Sequence, residues 1–195
     1  MDLTATRVDD LPGSRRTAPD PQTDSASPPA EVVGIRPIGP ADQTALQSFY
    51  AGLSEESRRT RFFGPTAGIG APQSSWFCTP DHDHREGFVA VVASAAGREH
   101  LVGHVCVEPD GPGSAEVAVA VADDLRGRGI GRRLVEQAVA WARMDGLEQL
   151  TATMLAGNPA IQRLLTDLGL PSTSRPIGAG VVEIRIDLRS EIRPA

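Results

Sequence analysis

The sequence predicts an α+β fold with a mixed, mostly antiparallel central sheet of about six or seven strands, flanked by about four helices. Two observations lead to this class. Three short runs rich in small and β-branched residues precede a long amphipathic segment, which is typical of an antiparallel meander followed by a crossover helix. A glycine-rich turn at residues 127–131 joins the meander to that helix, and another strand-like run follows it.

A short strand and two helices open the folded region. Residues 32–38 indicate the strand, and from Pro40 onwards apolar residues recur at helical spacing, which predicts the first helix. Ser54 precedes two glutamates, a pattern typical of a capped helix start, and the second helix is expected to run to about Arg61. Residues 64–73 are rich in Gly and Pro, so we expect a loop there.

The later elements are predicted from the same signals. The three strands of the meander are expected at residues 87–93, 100–107 and 114–121, and its two turns at residues 95–99 and 109–113. After the glycine-rich turn we expect a helix at residues 134–144, a strand at 149–154 and a second helix at 158–168. A pair of strands at residues 172–177 and 181–188 follows.

Composition limits the domain organisation and the partners. Residues 1–30 show almost no apolar periodicity, which predicts a disordered N-terminal tail, and residues 31–190 are long enough for a single domain with a core. The formal charge of −6 argues against nucleic acid as a partner. Cys78 and Cys106 are too few for a disulfide scaffold. No run suits a signal peptide or a membrane span, so we expect a cytoplasmic protein without a membrane partner, as a monomer or a homodimer.

The glycine-rich turn predicts an anion site. The first turn of a helix offers unpaired N–H groups and the positive end of its dipole, and glycines let a ligand approach the backbone closely, which suits a pyrophosphate. The dinucleotide pattern GxGxxG fails on spacing, and the nucleotide triphosphatase loop fails because the sequence contains no lysine. A plain glycine-rich turn remains the alternative.

A third pattern, R-x-x-G-x-G, fits at Arg126, Gly129 and Gly131, and it resembles the acetyl-CoA loop of the GNAT superfamily of N-acyltransferases. Residues 158–170 are similar to the family's Asn-x-x-Ala-x-x-Leu-Tyr-x-x-x-Gly-Phe helix in outline. Residues 53–63 resemble the Leu-Ser-x-Glu-Ser-x-x-x-Arg-Phe-Phe segment of bacterial Pat-type protein-lysine acetyltransferases. That segment suits either packing, with its arginines in solvent, or a substrate loop.

The resemblance implies acetyl-CoA as co-substrate and a set of residues that bind it. In the family, the pantetheine arm lies beside the strand before the loop, as an added strand would. Main-chain groups of Val119, Ala120 and Val121 would bind this arm, and Asn158 would assist or only cap its helix. The implied pyrophosphate site consists of Arg126, Gly127, Arg128, Gly129, Ile130, Gly131 and Arg132. Arg132 and Arg133 either reach the 3′-phosphate or are solvated.

Glu116 is the candidate general base. An alkylamine is protonated at neutral pH, so acyl transfer needs a group that removes a proton. Glu116 is the lone acid in an apolar strand, and by alternation it shares one face with Ala118 and Ala120. The resemblance places a catalytic glutamate here, and a surface glutamate is the alternative. Many relatives protonate the leaving thiolate with a tyrosine where this chain has Leu165, which leaves solvent or another residue as the acid.

The resemblance implies an N-acetyltransferase that acts on a primary amine, preferably the lysine side chain of a protein. A small-molecule amine acetyltransferase and a non-catalytic acyl-CoA-binding module are the alternatives. Residues 81–84, Asp-His-Asp-His, look like metal ligands, but neighbouring loop residues seldom converge on one ion, so we expect an exposed polar loop and no metal. His104 is expected to be a core or edge residue of its strand.

Overall fold

The computed structural model describes residues 33–93 and 97–189. Its strands are β1 (Val33–Pro37), β2 (Glu86–Ala93), β3 (Glu99–Gly111), β4 (Ser114–Val121), β5 (Gln149–Leu155), β6 (Ser172–Gly178) and β7 (Val181–Asp187). Its α-helices are α1 (Gln43–Gly52), α2 (Glu55–Phe62), α3 (Ala71–Cys78), α4 (Ile130–Met144) and α5 (Pro159–Asp167). Short 3-10 helices lie at Pro40–Asp42 and Asp123–Leu125. The predicted tail at residues 1–30 lies outside the described residues.

The seven strands form one sheet in the order β1-β2-β3-β4-β5-β7-β6. Within it, β4 and β5 run parallel, and the other neighbouring pairs are antiparallel. The crossover between the parallel strands contains α4, as such a connection requires. The predicted mixed and mostly antiparallel sheet is therefore confirmed.

Helices cover both faces of the sheet. Helices α4 and α5 contribute Leu134, Val139 and Leu165 to an apolar cluster with one face. Helices α1 and α3 contribute Leu46, Tyr50 and Cys78 to a second cluster on the other face, which Phe62 of α2 joins. Strands buried on both sides need apolar residues without strict alternation, which explains the nearly continuous burial of β2.

Helix α4 begins at Ile130 rather than at the predicted residue 134, helix α3 was not predicted, and strand β3 is longer than predicted. Residues 71–73 were assigned to a loop, but they begin α3, with Pro72 in its first turn, where a missing N–H group costs nothing. The turn expected at residues 109–113 lies further along, because β3 continues to Gly111 through an irregularity in its pairing with β4. Within the described residues, no helix has both the length and the apolar character to cross a membrane.

Candidate active site

Strands β4 and β5 are joined for only part of their length. Their pairing runs from Ser114 with Gln149 to Glu116 with Thr151. Beyond that point β4 remains paired with β3 up to Val121, and β5 remains paired with β7. In the described chain, no strand pairs with the second edge of β4 after Glu116. The sheet therefore opens into a fork, and the main chain of Val119, Ala120 and Val121 forms one of its walls.

The glycine-rich loop lies at the end of β4 and leads into α4. Gly127 and Gly129 adopt left-handed backbone angles, with φ of 75° and 78°, where a side chain would be strained. Gly129 is the N-cap of α4, and it has no side chain to satisfy the N–H groups of the first helical turn. Residues 126–129 are exposed, whereas Ile130 is buried and anchors the helix. An anion can therefore reach the helix N-terminus from solvent.

Replacing Gly129 with Ala should lower the free energy of unfolding by about 1 kcal/mol, because a Cβ atom disfavours the left-handed conformation. Urea titration followed by circular dichroism measures this change. Gly52→Ala is the matched control, since Gly52 ends α1 in open space and without a positive φ. Equal destabilisation by both substitutions would contradict the prediction.

Four arginines surround the loop, and the structure gives three of them protein partners. Arg126 donates to the hydroxyl of Ser57 at 2.6 Å. Nε of Arg132 lies 2.9 Å from a carboxylate oxygen of Glu136, on the next turn of α4. Arg133 donates to the carbonyl of Val33 at 2.9 Å. Arg126, Arg128, Arg132 and Arg133 are all exposed, in the loop and in the first turn of α4.

Glu116 lies on the last paired position before the fork. Its neighbours Ala115 and Val117 are buried in the cluster beneath α4, so by alternation Glu116 projects from the opposite face. Ala120, on that same face, packs against the cluster beneath α1 and α3. The predicted facing of the strand is therefore observed. Within residues 33–93 and 97–189, no hydrogen bond to the carboxylate of Glu116 is formed.

A second carboxylate, which the sequence did not indicate, lies directly across the ladder. Glu108 of β3 is the register partner of Glu116, and opposite residues of an antiparallel pair have Cβ atoms about 5 Å apart. Burial raises the pKa of Glu108, although a hydrogen bond from Nε1 of Trp76, at 3.2 Å, acts in the opposite direction. Arg85 stacks on the Trp76 ring at 3.7 Å. Two acids therefore share the face of the sheet at the fork.

Arg61 of α2 lies beside this pair of acids rather than in solvent. Its guanidinium donates to Sγ of Cys106 at 3.4 Å, and its Nε is sealed from solvent without a hydrogen-bond partner in the described structure. Burial opposes its charge, but the neighbouring Tyr50, Cys106 and Glu116 together hold the pKa of Arg61 above its ordinary value. Burial also raises the pKa of the Cys106 thiol, which favours its neutral form. Arg61 thus supplies a fixed positive charge near Glu116.

The chain's single tyrosine is not placed to act as an acid in the fork. Tyr50 is fully buried, its hydroxyl lies 2.9 Å from Nδ1 of His104, and burial raises its pKa to about 12. His104 is itself fully buried on β3, as expected for a core residue. Leu165 of α5 is part of the core. Asn158, which precedes α5, donates its backbone N–H to the carbonyl of Leu155.

Residues 81–84 form an exposed loop organised by its own backbone. Oδ1 of Asp81 accepts hydrogen bonds from the N–H groups of Asp83, His84 and Arg85. Nδ1 of His82 lies 2.9 Å from a carboxylate oxygen of Glu86. Among the described residues, no group of three or more His, Cys, Asp and Glu side chains is arranged to hold a metal ion.

Comparison with known proteins gives a consistent family. The acetyltransferase (GNAT) family model matches residues 49–170, which is more than half of the chain. The L-methionine sulfoximine/L-methionine sulfone acetyltransferase of Pseudomonas aeruginosa is 31% identical over 140 residues, which cover 69% of this chain and 78% of that protein.

Two solved structures are similar to this one. The GNAT domain of PAT from S. lividans superposes with a TM-score of 0.69 and 31% identity, over 78% of this chain and 89% of that domain. A Salmonella typhimurium protein solved with its cofactor acetyl-CoA superposes with a TM-score of 0.64 over 84% of this chain and 98% of that one. Its identity of 19% shows a common fold alone. With the forked sheet and the R-x-x-G-x-G loop, these matches show that the chain belongs to the acetyltransferase (GNAT) family, acyltransferases whose co-substrate is acetyl-CoA.

Proposed function

We propose that this enzyme acetylates a primary amine, preferably the lysine side chain of a protein, with Glu116 as general base. The observation that carries the proposal is the position of Glu116, on the last residue pair before β4 and β5 separate. A carboxylate there lies at the opening in which an amine and a thioester can meet. Its neighbours on the same face, Ala118 and Ala120, are small and leave room for an acceptor.

The chain's residues suit acetyl-CoA at two places. The unpaired edge of β4 at Val119, Ala120 and Val121 offers backbone donors and acceptors to the amide groups of a pantetheine arm. The uncapped start of α4 offers N–H groups to the pyrophosphate, and Arg126, Arg128 and Arg132 add positive charge around it. Gly127, Gly129, Ile130 and Gly131 supply the backbone of that cradle, and Asn158 lies after the end of β5.

The reaction requires two proton losses from the acceptor. Glu116 accepts the first from the ammonium, directly or through one water, and so frees a lone pair on nitrogen. The nitrogen then bonds to the acetyl carbon, and a strand N–H near Val119 donates to the carbonyl oxygen while charge accumulates there. The carbon–sulfur bond breaks as the amide forms, and the nitrogen releases its second proton to water. Solvent returns a proton to the leaving thiolate, because Leu165 has no ionisable group and Tyr50 is fully buried against His104.

Two likenesses support different acceptors. The structural match to the S. lividans PAT domain, together with the Ser54–Ser57 segment, favours a protein lysine. The match to a Pseudomonas aeruginosa enzyme named for L-methionine sulfoximine favours a small amine instead. The two acids Glu108 and Glu116 suit either acceptor, since a lysine side chain and a small amine each carry an ammonium group.

An acetylation assay with two classes of acceptor tests the proposal. We expect acetyl-lysine to accumulate when the enzyme and acetyl-CoA are mixed with a bacterial protein extract whose own acetyltransferases have been heat-inactivated. Since the sequence contains no lysine, this signal cannot arise from lysine acetylation of the enzyme itself. In parallel, thiol release is followed with a panel of amines that includes methionine sulfoximine. Turnover with the small amines alone would replace the protein-lysine proposal by the small-amine one.

A further inference from the structure

The start of α2 is fastened to Asp123, the second residue after the end of β4. Asp123 accepts a hydrogen bond from the backbone N–H of Ser54 at 2.8 Å and another from the Ser54 hydroxyl at 3.0 Å. The hydroxyl of Ser57 also donates to Asp123. Ser57 is buried, with 5% of its surface exposed, so this contact is protected from water. The segment that resembles Pat-type enzymes is thus tied directly to the entrance of the glycine-rich loop.

The same serine also holds the first arginine of the loop. Nη2 of Arg126 donates to Oγ of Ser57 at 2.6 Å and lies 3.4 Å from Oδ1 of Asp123. Burial alone would raise the pKa of Asp123, but the hydrogen bonds from Ser54 and Ser57 and the charge of Arg126 hold it below its ordinary value. Asp123 is therefore a carboxylate at neutral pH, and a continuous polar chain runs from Arg126 through Ser57 to Asp123.

Among the residues that the structure describes, the contacts of the Arg126 guanidinium with Ser57 and Asp123 all use one nitrogen, Nη2. About half of the side chain, 53%, remains exposed at the mouth of the loop. An unrestrained arginine loses rotamer freedom when it binds an anion, which weakens the association. An arginine already held by a buried serine has lost that freedom before the ligand arrives.

We propose that Ser57 and Asp123 are positioning residues for acetyl-CoA, which orient Arg126 towards its pyrophosphate. The inference rests on the proposed role of Arg126 in the cofactor site and extends it to α2. It also gives the serines of the Pat-like segment a role apart from packing. These hydrogen bonds act on acetyl-CoA binding through Arg126, and they involve neither the acetyl group nor Glu116.

Calorimetric titration with acetyl-CoA tests this role. For Ser57→Ala we expect a dissociation constant about fivefold to tenfold higher than that of the wild type, because a hydrogen bond to a charged group is lost. We expect kcat at saturating acetyl-CoA to change less than twofold. Ser48→Ala is the matched control, since Ser48 lies exposed on α1 and bonds only to the carbonyl of Thr44 among the described residues. Its dissociation constant should equal that of the wild type.

Two further measurements separate positioning from a general structural effect. S-acetylpantetheine lacks the pyrophosphate, so its KM should be the same for the wild type and Ser57→Ala. In an Arg126→Gln background, Ser57→Ala should have no further effect on acetyl-CoA binding, because the group that it orients is gone. Should Ser57→Ala fail to fold, Asp123→Asn tests the same chain from a more exposed position, and a weakening of similar size is expected.

Three results would overturn the inference: unchanged acetyl-CoA binding by Ser57→Ala, an equal loss with S-acetylpantetheine, or an undiminished loss in the Arg126→Gln background. Each leaves the proposed function standing as long as the wild type binds acetyl-CoA. Absence of binding by the wild type would instead remove both, so the two failures are distinguishable in the same titration.

Discussion

Glu116→Gln should lower turnover by about a hundredfold or more while acetyl-CoA binding remains close to that of the wild type. The amide has nearly the same shape as the carboxylate but cannot accept the proton of an ammonium, and general-base losses are commonly of this size. The cofactor contacts proposed here involve the main chain of β4 and the loop before α4, so the substitution leaves them in place. Steady-state thiol release gives kcat, and calorimetry gives the dissociation constant.

Glu108→Gln is the matched control for this experiment. Glu108 has the same side chain, lies opposite Glu116 and faces the same side of the sheet, but a hydrogen bond from Trp76 engages one of its oxygens. We expect a loss of turnover below about tenfold, because removing one nearby charge weakens attraction of the ammonium without removing the base. Equal losses for the two variants would contradict a specific role of Glu116, and unchanged turnover in Glu116→Gln would remove it from the mechanism.

Acid should destabilise the protein through His104. Burial lowers the pKa of this imidazole to about 3, and the charge of Arg61 acts in the same direction, whereas an unfolded chain has a value of about 6.5. Between these values the unfolded state binds a proton that the folded state does not. Stability therefore rises with pH in this window, and it falls by up to about 1.4 kcal/mol for each unit of acidification. The loss reaches about 2 kcal/mol at pH 5 and ends near pH 3, where both states are protonated.

Urea unfolding at pH 7, 6 and 5 measures this effect. His104→Gln should unfold more easily at pH 7, because it disturbs the contact with Tyr50, but its pH slope should be smaller by one proton. His100→Gln, on the exposed start of the same strand, should keep the wild-type slope. A wild-type slope in His104→Gln would show that other groups cause the acid sensitivity.

The elements around the proposed cofactor site were predictable because local rules determine them. Strand β4 has the predicted bounds, since alternation of small and β-branched residues defines it at both ends. Glycines with positive φ mark the loop, and the amphipathic pattern marks α4. Such features depend on residues that are close in sequence, so the amino-acid sequence alone predicts them.

Helix α3 was missed because tertiary contacts stabilise it more than its own pattern does. Gly70 and Pro72 indicate a loop when taken alone, and the segment has no clear apolar face. In the structure, Gln47 of α1 donates to the hydroxyl of Ser74, which is fully buried. The extension of β3 was missed for a related reason, since Pro109 suggests a turn but is accommodated where the pairing with β4 is irregular.

A smaller part of the proposed site could not be predicted from the sequence. The face of Glu116 follows from alternation within one strand, but the position of Glu108 opposite it depends on the register between two strands. Arg61 lies 45 residues before Cys106, and no periodicity relates the two. The contact between Ser57 and Arg126 spans 69 residues, and only the folded chain brings them together.

The fork between β4 and β5 also bears on how long the enzyme survives. In a continuous ladder, hydrogen bonds between β4 and β5 would close this gap. Under the proposed binding mode, the pantetheine arm of acetyl-CoA would supply such bonds instead. Whatever binds the folded form and ignores the unfolded one shifts the balance towards the folded form. Bound acetyl-CoA would thus raise the resistance of the folded enzyme to heat and proteases. A low concentration of acetyl-CoA would then reduce the amount of folded enzyme as well as the rate of each molecule.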